Sequence, residues 1–461
     1  MASLERVSLP RFGKPESLPQ ISHGEYLHRM QVVTERMRAG KLDFLIVYGD
    51  REHFANLAYL TGFDPRFEEA LLLLSADGRR KLLVGNECMG YLPDDRLEIE
   101  IELFQELSLL GQPRDTSRSL REILSGFGIG SNSVIGSAGW KYFGDANNSE
   151  QAQLLEIPSY IVDLLRELTG AKSRVLNATP LFMNPRDGLR LINSVDQIAQ
   201  FEFAASHCSD SVLNLLLHIR EGAVESDLEA FLNSHGLPLS CHNMVGFGEK
   251  AKRGLSSPSQ NRARLGDTFT VALGVQGSLI SRAGAVTRNE NELPEATRDF
   301  YPRFVANYFD VVVEWYSGVK VGANSGDIYA AVQSRRDGAL YDFAVNPGHY
   351  IHLDEWLHSP FDTGSDIILQ SGMALQMDII PISKGPFCYA NGEDGIVLAD
   401  AELRAQIASQ YPNAWSRIQQ RRRFMVETLG IPLDESVLPL SNIAGWLAPY
   451  ILEPELVLVN R

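Results

Sequence analysis

Apolar positions near the start of the chain change from helical to strand spacing. Between Tyr26 and Met37, apolar residues recur every three or four positions, which predicts one face of a helix. After Gly40 the pattern becomes the compact apolar run Phe44–Tyr48, which is typical of a buried strand. Two further apolar runs flank Asp77-Gly78 and predict a hairpin. This succession indicates an α/β domain.

A second helical pattern closes this domain. It covers Ser149–Thr169 and is interrupted near Pro158. Pro180 and Pro185 then lie between periodic segments, where proline favours a turn or linker. We therefore place an N-terminal α/β domain at residues 1–175.

The remainder of the chain mixes long helices with short strands. Residues Asp196–Ile219 have the apolar stripe of an amphipathic helix, and Glu295–Tyr316 is a second long helical segment. Strand-like apolar runs lie at residues 267–277, 278–287, 372–382 and 394–400. The pattern predicts a second domain over residues 185–430, followed by a C-terminal extension at 431–461.

Composition narrows the possible partners. The chain has 42 Lys and Arg against 58 Asp and Glu, a formal charge of −16, which repels nucleic acid. The first twenty residues lack the apolar centre of a signal peptide, and no apolar run is long enough to cross a bilayer. We expect a cytoplasmic protein that binds neither membranes nor nucleic acid. Its widely spaced cysteines fit reduced, ordinary thiols; they are Cys88, Cys208, Cys241 and Cys388.

Several sequence blocks together resemble the creatinase and aminopeptidase P family (peptidase M24-like). YLTGF, at 59–63, is similar to a signature of the family's N-terminal domain. Further along, the similar blocks are REGAVESDL, KVGANSGDI, LGDTFTVALG, PGHYIHLDE, SGMALQMDIIP and NGEDGIVLAD. They follow the family's order from about residue 20 to 430. The resemblance implies a creatinase-type N-terminal α/β domain followed by a pita-bread domain, an α/β (α+β) fold.

The resemblance also shows a departure in the metal ligands. Metallopeptidases of this family hold two ions with two Asp, one His and two Glu. The two Asp positions fall on Ala272 and Ala283, the His on His349, and the two Glu on Asp378 and Glu393. A methyl group cannot ligate a metal, so we expect no dinuclear centre and assign no metal ligand. One His and two carboxylates still suffice for a mononuclear divalent site.

Creatinase itself works without a metal, which suggests how the remaining groups act. The resemblance implies that His349 is the acid–base group and that Asp378 and Glu393 are its carboxylate partners, because such chemistry needs a proton carrier that titrates near neutrality.

Other histidines compete for a second proton-handling role. The family often has a second His seven residues after the first, where this chain has Trp356; His358 is the nearest replacement, and His352 is a candidate substrate contact. Creatinase's own catalytic His falls on Leu255 or Ser256, so His242 is the alternative catalytic candidate.

The remaining assignments concern the substrate. Asp354 and Glu355 are interpreted as solvated loop acids. Arg282 lies next to a vacated metal position and is predicted to bind a substrate carboxylate, with an ion pair to a neighbouring acid as the alternative. By resemblance, Phe63 and Arg66 reach into the site of a neighbouring subunit, which predicts a homodimer.

We therefore expect a metal-independent, creatinase-like hydrolase that cleaves a C–N bond of a small amide, amidine, guanidino or ring substrate. One alternative is a mononuclear, metal-dependent Xaa-Pro-type aminopeptidase. Another is a non-catalytic binding protein on the same fold. Fold alone does not decide between them.

Overall fold

The computed structural model describes residues 2–144, 150–387 and 390–461. The chain divides into two compact units, one of residues 21–190 and one of residues 1–20 with 191–461. The segment 431–461, which the sequence analysis set apart as an extension, belongs to the second unit, as do the first twenty residues. Both units contain helices and strands, as the predicted α/β (α+β) class requires.

The elements up to residue 190, in chain order, are β1 (Ala2–Arg6), α1 (His23–Ala39), β2 (Phe44–Gly49), α2 (Ala55–Thr61), β3 (Ala70–Ser75), β4 (Arg80–Val84), β5 (Glu100–Leu103), α3 (Leu120–Gly126), β6 (Ile135–Ala138), α4 (Ser159–Thr169), β7 (Val175–Asn177) and α5 (Pro180–Met183).

The elements after residue 190 are α6 (Val195–Leu217), α7 (Glu225–Glu229), β8 (Met244–Phe247), β9 (Thr268–Val275), β10 (Ser278–Ala285), α8 (Ala306–Gly318), α9 (Ser325–Arg335), β11 (Tyr341–Phe343), β12 (His349–Tyr350), β13 (Ala374–Asp378), β14 (Pro381–Ser383), β15 (Asn391–Leu398), α10 (Ala401–Gln410), α11 (Pro412–Arg423), β16 (Val437–Pro439) and β17 (Leu456–Asn460). Within the described ranges, every helix is too short or too polar to cross a membrane.

The unit of residues 21–190 is built on a six-stranded sheet in the order β5-β4-β3-β2-β6-β7. The predicted strand and hairpin are confirmed: β2 is wholly buried, and β3 and β4 are joined through Gly78, whose φ of 98° suits glycine. The predicted helix at 149–169 is shorter in the structure, because Pro158 caps α4 at its start; Ser149 lies outside the described residues.

The other unit is built on a seven-stranded antiparallel sheet in the order β12-β13-β15-β10-β9-β8, with β16 also paired to β15. The predicted helix at 196–219 is confirmed as α6, which starts where the Ser194 side chain accepts a hydrogen bond from the Gln197 backbone and which packs against β9 and β10. The predicted segment 295–316 begins with a 3-10 turn at Glu295–Thr297 and continues as a π-helical stretch at Phe300–Val305, which leads into α8.

The N-terminal residues are held along the surface of this unit. β1 pairs antiparallel with β17, from Ala2 opposite Asn460 to Arg6 opposite Leu456. The segment that follows β1 is held by side chains of α6: His207 Nε2 donates to the Pro15 carbonyl at 2.9 Å and Gln200 Nε2 donates to the Pro19 carbonyl at 2.9 Å.

Two histidines pack together beside this segment, the buried His207 and the exposed His235. The rings of His207 and His235 have centroids 4.2 Å apart, and the other charged groups that act on them are Lys14, Asp210 and Glu202. Burial lowers the pKa of both histidines, and Lys14 lowers it further. Burial therefore favours the neutral form of both imidazoles in the folded protein.

The histidine pair makes stability depend on pH. Because the folded pKa values lie below the unfolded value of about 6.5, the stability that these groups confer is complete above that pH and is lost as the pH falls through the folded values. We expect the free energy of unfolding to fall less between pH 8 and pH 5 in His235→Asn than in the wild type; Asn also tolerates the φ of 52° at this position. Denaturant titrations measure the difference, with the exposed His28→Asn as control. An equal fall in His235→Asn would contradict the assignment.

Candidate active site

The strand register places the candidate residues in one row across the sheet. Asp378 on β13 lies opposite Glu393 on β15, Glu393 lies opposite Ser281 on β10, and Ser281 lies opposite Ala272 on β9. Directly paired residues project from the same face of a sheet, and residues two apart in one strand do so too. Ala283 therefore shares this face.

His349 joins the row from the edge strand β12. It lies opposite Gln376, which is two residues from Asp378 and so projects from the same face. The imidazole is fully buried, and its Nδ1 donates a hydrogen bond to the Tyr350 carbonyl at 3.2 Å. With Nδ1 used in this way, Nε2 is the nitrogen that faces the carboxylates.

Three carboxylates converge on this nitrogen. His349 Nε2 lies 3.3 Å from Oε1 of Glu355, 3.6 Å from Oε1 of Glu393 and 3.9 Å from Oδ2 of Asp378. One ligand atom from each of His349, Asp378 and Glu393 lies within 4.8 Å of the others. In the described part of the chain, His349 is the only histidine, lysine or arginine side chain within 4 Å of these three carboxylates.

Glu355 is the residue that the sequence analysis missed. It was interpreted as a solvated loop acid, but only 24% of its side chain is exposed and it lies nearest to His349. It is on the irregular loop after β12, where strand alternation gives no indication of side-chain direction. The one available signal was its position six residues after the predicted acid–base histidine.

Burial dominates the electrostatics of the cluster. It raises the pKa of Glu355 to about 7, against the opposing effect of His349. Burial also raises the pKa of Asp378 and of Glu393, and the charge of Asp378 raises that of Glu393 further. The buried atoms Nε2 of His349 and Oδ1 of Asp378 make no hydrogen bond to the described residues. The cluster therefore has a nitrogen and an oxygen atom available to bind a ligand, and its carboxylates favour a ligand with positive charge.

One glutamine fixes the orientation of Glu393. Gln376 Nε2 donates to Glu393 Oε1 at 3.2 Å and to the Leu279 carbonyl at 2.7 Å. Its side chain crosses β15 over Gly395, where a Cβ would lie 2.7 Å from Gln376 Oε1. A side chain at position 395 would therefore displace the Gln376 carboxamide from this position.

The two alanines lie where the resemblance places metal-binding aspartates. Ala272 packs in an apolar cluster with Met244 and Leu279, against which Cys241 also packs. Burial, with the nearby charges of Glu355 and Glu393, raises the pKa of Cys241 to about 12. These side chains offer no carboxylate to a second metal ion, so a dinuclear centre does not fit this part of the sheet.

Comparisons with known proteins agree with the architecture. A model of the creatinase/prolidase N-terminal domain matches residues 29–127. The prolidase from Thermococcus sibiricus superposes with a TM-score of 0.63 at 16% identity, covering 83% of this chain and 95% of that one. The Xaa-Pro dipeptidase from Bacillus anthracis superposes with a TM-score of 0.59 at 17% identity, covering 83% and 96%. No curated protein sequence matches the chain significantly.

The chain has the creatinase and prolidase fold. Its structural relatives include the dipeptidase PepE from Mycobacterium ulcerans, at 16% identity and a TM-score of 0.62, covering 82% of this chain and 95% of that one. The predicted resemblance to creatinase and aminopeptidase P is confirmed at the level of the fold.

Within this creatinase and prolidase fold, Arg282 does not lie where it was predicted. It projects from the opposite face of β10, where its guanidinium binds both carboxylate oxygens of Asp394 at 2.9 Å. Its remaining donors reach backbone carbonyls, including those of Glu393 and Trp446. The predicted contact with a substrate carboxylate is replaced by the alternative, a buried ion pair.

The other predicted histidines lie in three different settings. His352 is buried and packs edge-on against Phe201 of α6, with ring centroids 5.3 Å apart. His358 is half-buried and its Nδ1 donates to the Ser359 carbonyl at 3.0 Å. His242 is exposed, and its Nε2 donates to the Leu255 carbonyl at 2.9 Å.

In the unit of residues 21–190, the predicted partner contacts are only partly available. Phe63 is buried in its own unit and packs against Tyr91, with centroids 5.6 Å apart, which is incompatible with reaching a neighbouring subunit. Phe67 is instead the exposed aromatic of this segment, at 52%. Arg66 is partly buried over the ring of Phe54. Cys388 lies outside the described residues.

The Arg282–Asp394 pair is expected to be structural. Arg282→Met leaves the Asp394 charge buried without a partner, which should lower the free energy of unfolding by about 3–5 kcal/mol. The double variant with Asp394→Leu should lose less, because no unpaired charge remains. Denaturant unfolding checks both, with Arg288→Met as control: its pair with Glu292 is more exposed and should contribute at most about 1 kcal/mol. A small effect of Arg282→Met alone would contradict this role.

Proposed function

We propose that the protein is a hydrolase that cleaves a C–N bond of a small molecule, with His349 as the acid–base group and Asp378, Glu393 and Glu355 as its carboxylate partners. The observation that carries this proposal is the convergence of three carboxylates on one imidazole nitrogen in a buried site. Such an arrangement moves a proton between groups of similar affinity, as general acid–base chemistry requires.

The hydrogen bond at Nδ1 supports this role for His349. Because that nitrogen donates to the Tyr350 carbonyl, proton exchange is confined to Nε2. Burial raises the pKa of Glu355 to about 7 and that of Asp378 to about 6, so these carboxyls can hold or release a proton near neutral pH beside Nε2. The site can thus accept a proton from an attacking water and return one to a leaving nitrogen.

The charge of the cluster favours a substrate with a cationic group. Three buried acids face one imidazole, so an amidine or guanidino group would stabilise their ionised forms. Amide and ring substrates remain within the proposal, because protonated acids donate hydrogen bonds to neutral groups. We propose metal-independent catalysis, since both alanines lack ligand atoms and a cationic substrate supplies the missing positive charge.

One observation favours a second candidate, a mononuclear metallohydrolase such as an Xaa-Pro-type aminopeptidase. The ligand atoms of His349, Asp378 and Glu393 are close enough to bind one ion, and neither Nε2 nor Oδ1 makes a hydrogen bond to a described residue. A divalent ion held there would polarise a carbonyl and activate water. The solved relatives named as prolidase and Xaa-Pro dipeptidase make a proline-containing dipeptide the first substrate to try for this candidate.

We further propose a cytoplasmic homodimer. Arg66 is partly buried and Phe67 is exposed in the segment that the resemblance assigns to a neighbouring subunit's site.

Substitution of the acid–base group tests the proposal directly. His349→Gln keeps a polar side chain of similar size but cannot carry a proton, so turnover should fall roughly 10²-fold or more. Steady-state kinetics on amidine, guanidino, amide and Xaa-Pro panels supplies the measurement. His53→Gln, at the other histidine that stacks on a tryptophan, is the matched control and should keep the wild-type rate. Equal rates for His349→Gln and the wild type would remove His349 from the mechanism.

Metal content separates the two candidates. Ala272 and Ala283 stand where the family has acidic ligands. The purified protein should therefore hold well under one equivalent of Zn, Mn, Fe or Co, and its activity should survive a strong chelator. Elemental analysis before and after dialysis gives the stoichiometry. One ion, lost in His349→Gln together with activity, would favour the mononuclear candidate. Two tightly held ions would contradict the placement of Ala272 and Ala283, and absence of activity on every panel would favour a binding protein.

A further inference from the structure

The loop after β12 covers one face of His349. Its two ends are joined at Tyr350 and His358: the Tyr350 N–H donates to the His358 carbonyl at 2.7 Å, and the Leu357 N–H donates to the Tyr350 carbonyl at 3.0 Å. Between these ends, His352 and Leu357 are buried, whereas residues 353–356 are partly or fully exposed. The loop is thus fixed at its base and reaches solvent only at residues 353–356, which we call the tip.

The tip carries the side chain that covers the site. Trp356 stacks on His349, with ring centroids 4.2 Å apart and planes inclined by 19°. The indole is 38% exposed, while the imidazole beneath it is fully buried. Trp356 therefore separates solvent from one face of His349, and Glu355, the preceding residue, contacts the same imidazole at Nε2.

We infer that Trp356 is a positioning residue and a gate: it holds the imidazole of His349 with Nε2 towards the carboxylates, and it must swing away from the ring to admit a ligand to that face. The importance of His349 rests on the proposed function, but the covering of His349 can be measured without a substrate.

The tip can move because it is held less firmly than the two buried residues that anchor the loop, His352 and Leu357. His352 is held against Phe201 of α6, and Leu357 is buried with its N–H in the base of the loop. A swing of the Trp356 side chain alone leaves both anchors and Glu355 in place, because the contact that it breaks is the stack on His349. Segments with few buried contacts open at low free energy, which suits a gate.

The geometry of the stack also determines which ligands can bind on the His349 ring once the indole has moved. Once the indole moves, the uncovered imidazole face is flat and lies beside the Glu355 carboxylate. A planar group with N–H donors, such as an amide, amidine or guanidino group, can lie on that face and donate to Glu355. The gate therefore favours planar substrates over bulky tetrahedral ones.

The test measures the reaction of each histidine with diethyl pyrocarbonate at pH 8, by mass spectrometry of peptides. In the wild type, His349 should react about tenfold or more slowly than exposed His242, because reaction requires opening of the tip. Trp356→Ala should raise the His349 rate by about tenfold, whereas Trp356→Phe should preserve protection, because phenylalanine keeps a flat ring for the stack.

A matched control exists at the other histidine–tryptophan stack. Trp140 is 39% exposed and stacks on His53 with centroids 4.4 Å apart, but the His53 side chain remains 38% exposed. Trp140→Ala should therefore leave the His349 rate unchanged. Trp356→Leu serves as a second variant, because it keeps apolar bulk in the tip without a flat ring and should give intermediate protection.

The outcomes separate this inference from the proposed function. A wild-type His349 rate equal to that of His242, or an unchanged rate in folded Trp356→Ala and Trp356→Leu, would overturn the gate. If Trp356→Phe protects His349 but the protein hydrolyses no substrate on the panels, the gate is supported and the hydrolase proposal is contradicted. With an active substrate, Trp356→Phe should restore the kcat lost in Trp356→Ala, which a merely structural role for residue 356 would not require.

Discussion

The alternation of side chains along β10 and β15 is the constraint on which the site depends. Ser281 and Glu393 project from one face, and their sequence neighbours Arg282 and Asp394 project from the other, where they form a buried, bidentate ion pair. A slip of one residue in β15 would turn Glu393 away from His349, and a slip of one residue in β10 would bury Arg282 among the site's apolar neighbours. The ion pair on the back of the sheet therefore specifies the register that assembles the site on its front. A buried pair of this kind gives specificity more reliably than net stability.

On the front of the sheet, the same register brings together more negative charge than the fold can neutralise by itself. Glu393 is oriented by Gln376, but no described lysine or arginine forms an ion pair within 4 Å of its carboxylate or of those of Asp378 and Glu355. Burial offsets this excess of negative charge by raising the pKa of the carboxyls, which favours their protonated forms. A cation that binds would favour their ionised forms. The cluster is thus suited to either a cationic substrate or a single metal ion.

Much of the site could be predicted because its residues lie on regular strands in recognisable blocks. His349, Asp378, Glu393 and the two alanines were placed by order along the chain, and the structure brings the three polar residues together. Arg282 was misplaced although strand alternation already excluded it, since Ala283 was assigned to the site face. Glu355 could not be placed because it lies on an irregular loop, whose side-chain directions depend on long-range packing rather than on period.

The fold shows the same division between local and distant information. Helices and strands with clear apolar periodicity, such as α6 and β2, were predicted close to their observed bounds. The sequence does not predict that the first twenty residues belong to the second unit. The strand that pairs with β1 is more than four hundred residues away, so the local sequence gives no indication of it. Deviations at 150–158 and 295–299 occurred next to prolines that interrupt an otherwise helical pattern.

The pairing of β1 with β17 has a consequence for synthesis of the protein. Residues 21–190 can complete their sheet while translation continues, since each strand of that sheet finds its partner within the same unit. β1 is made long before residues 456–460, and it must wait for them before it gains a partner. During that interval the nascent chain exposes an unpaired strand, the kind of edge on which chaperones act and from which aggregation starts.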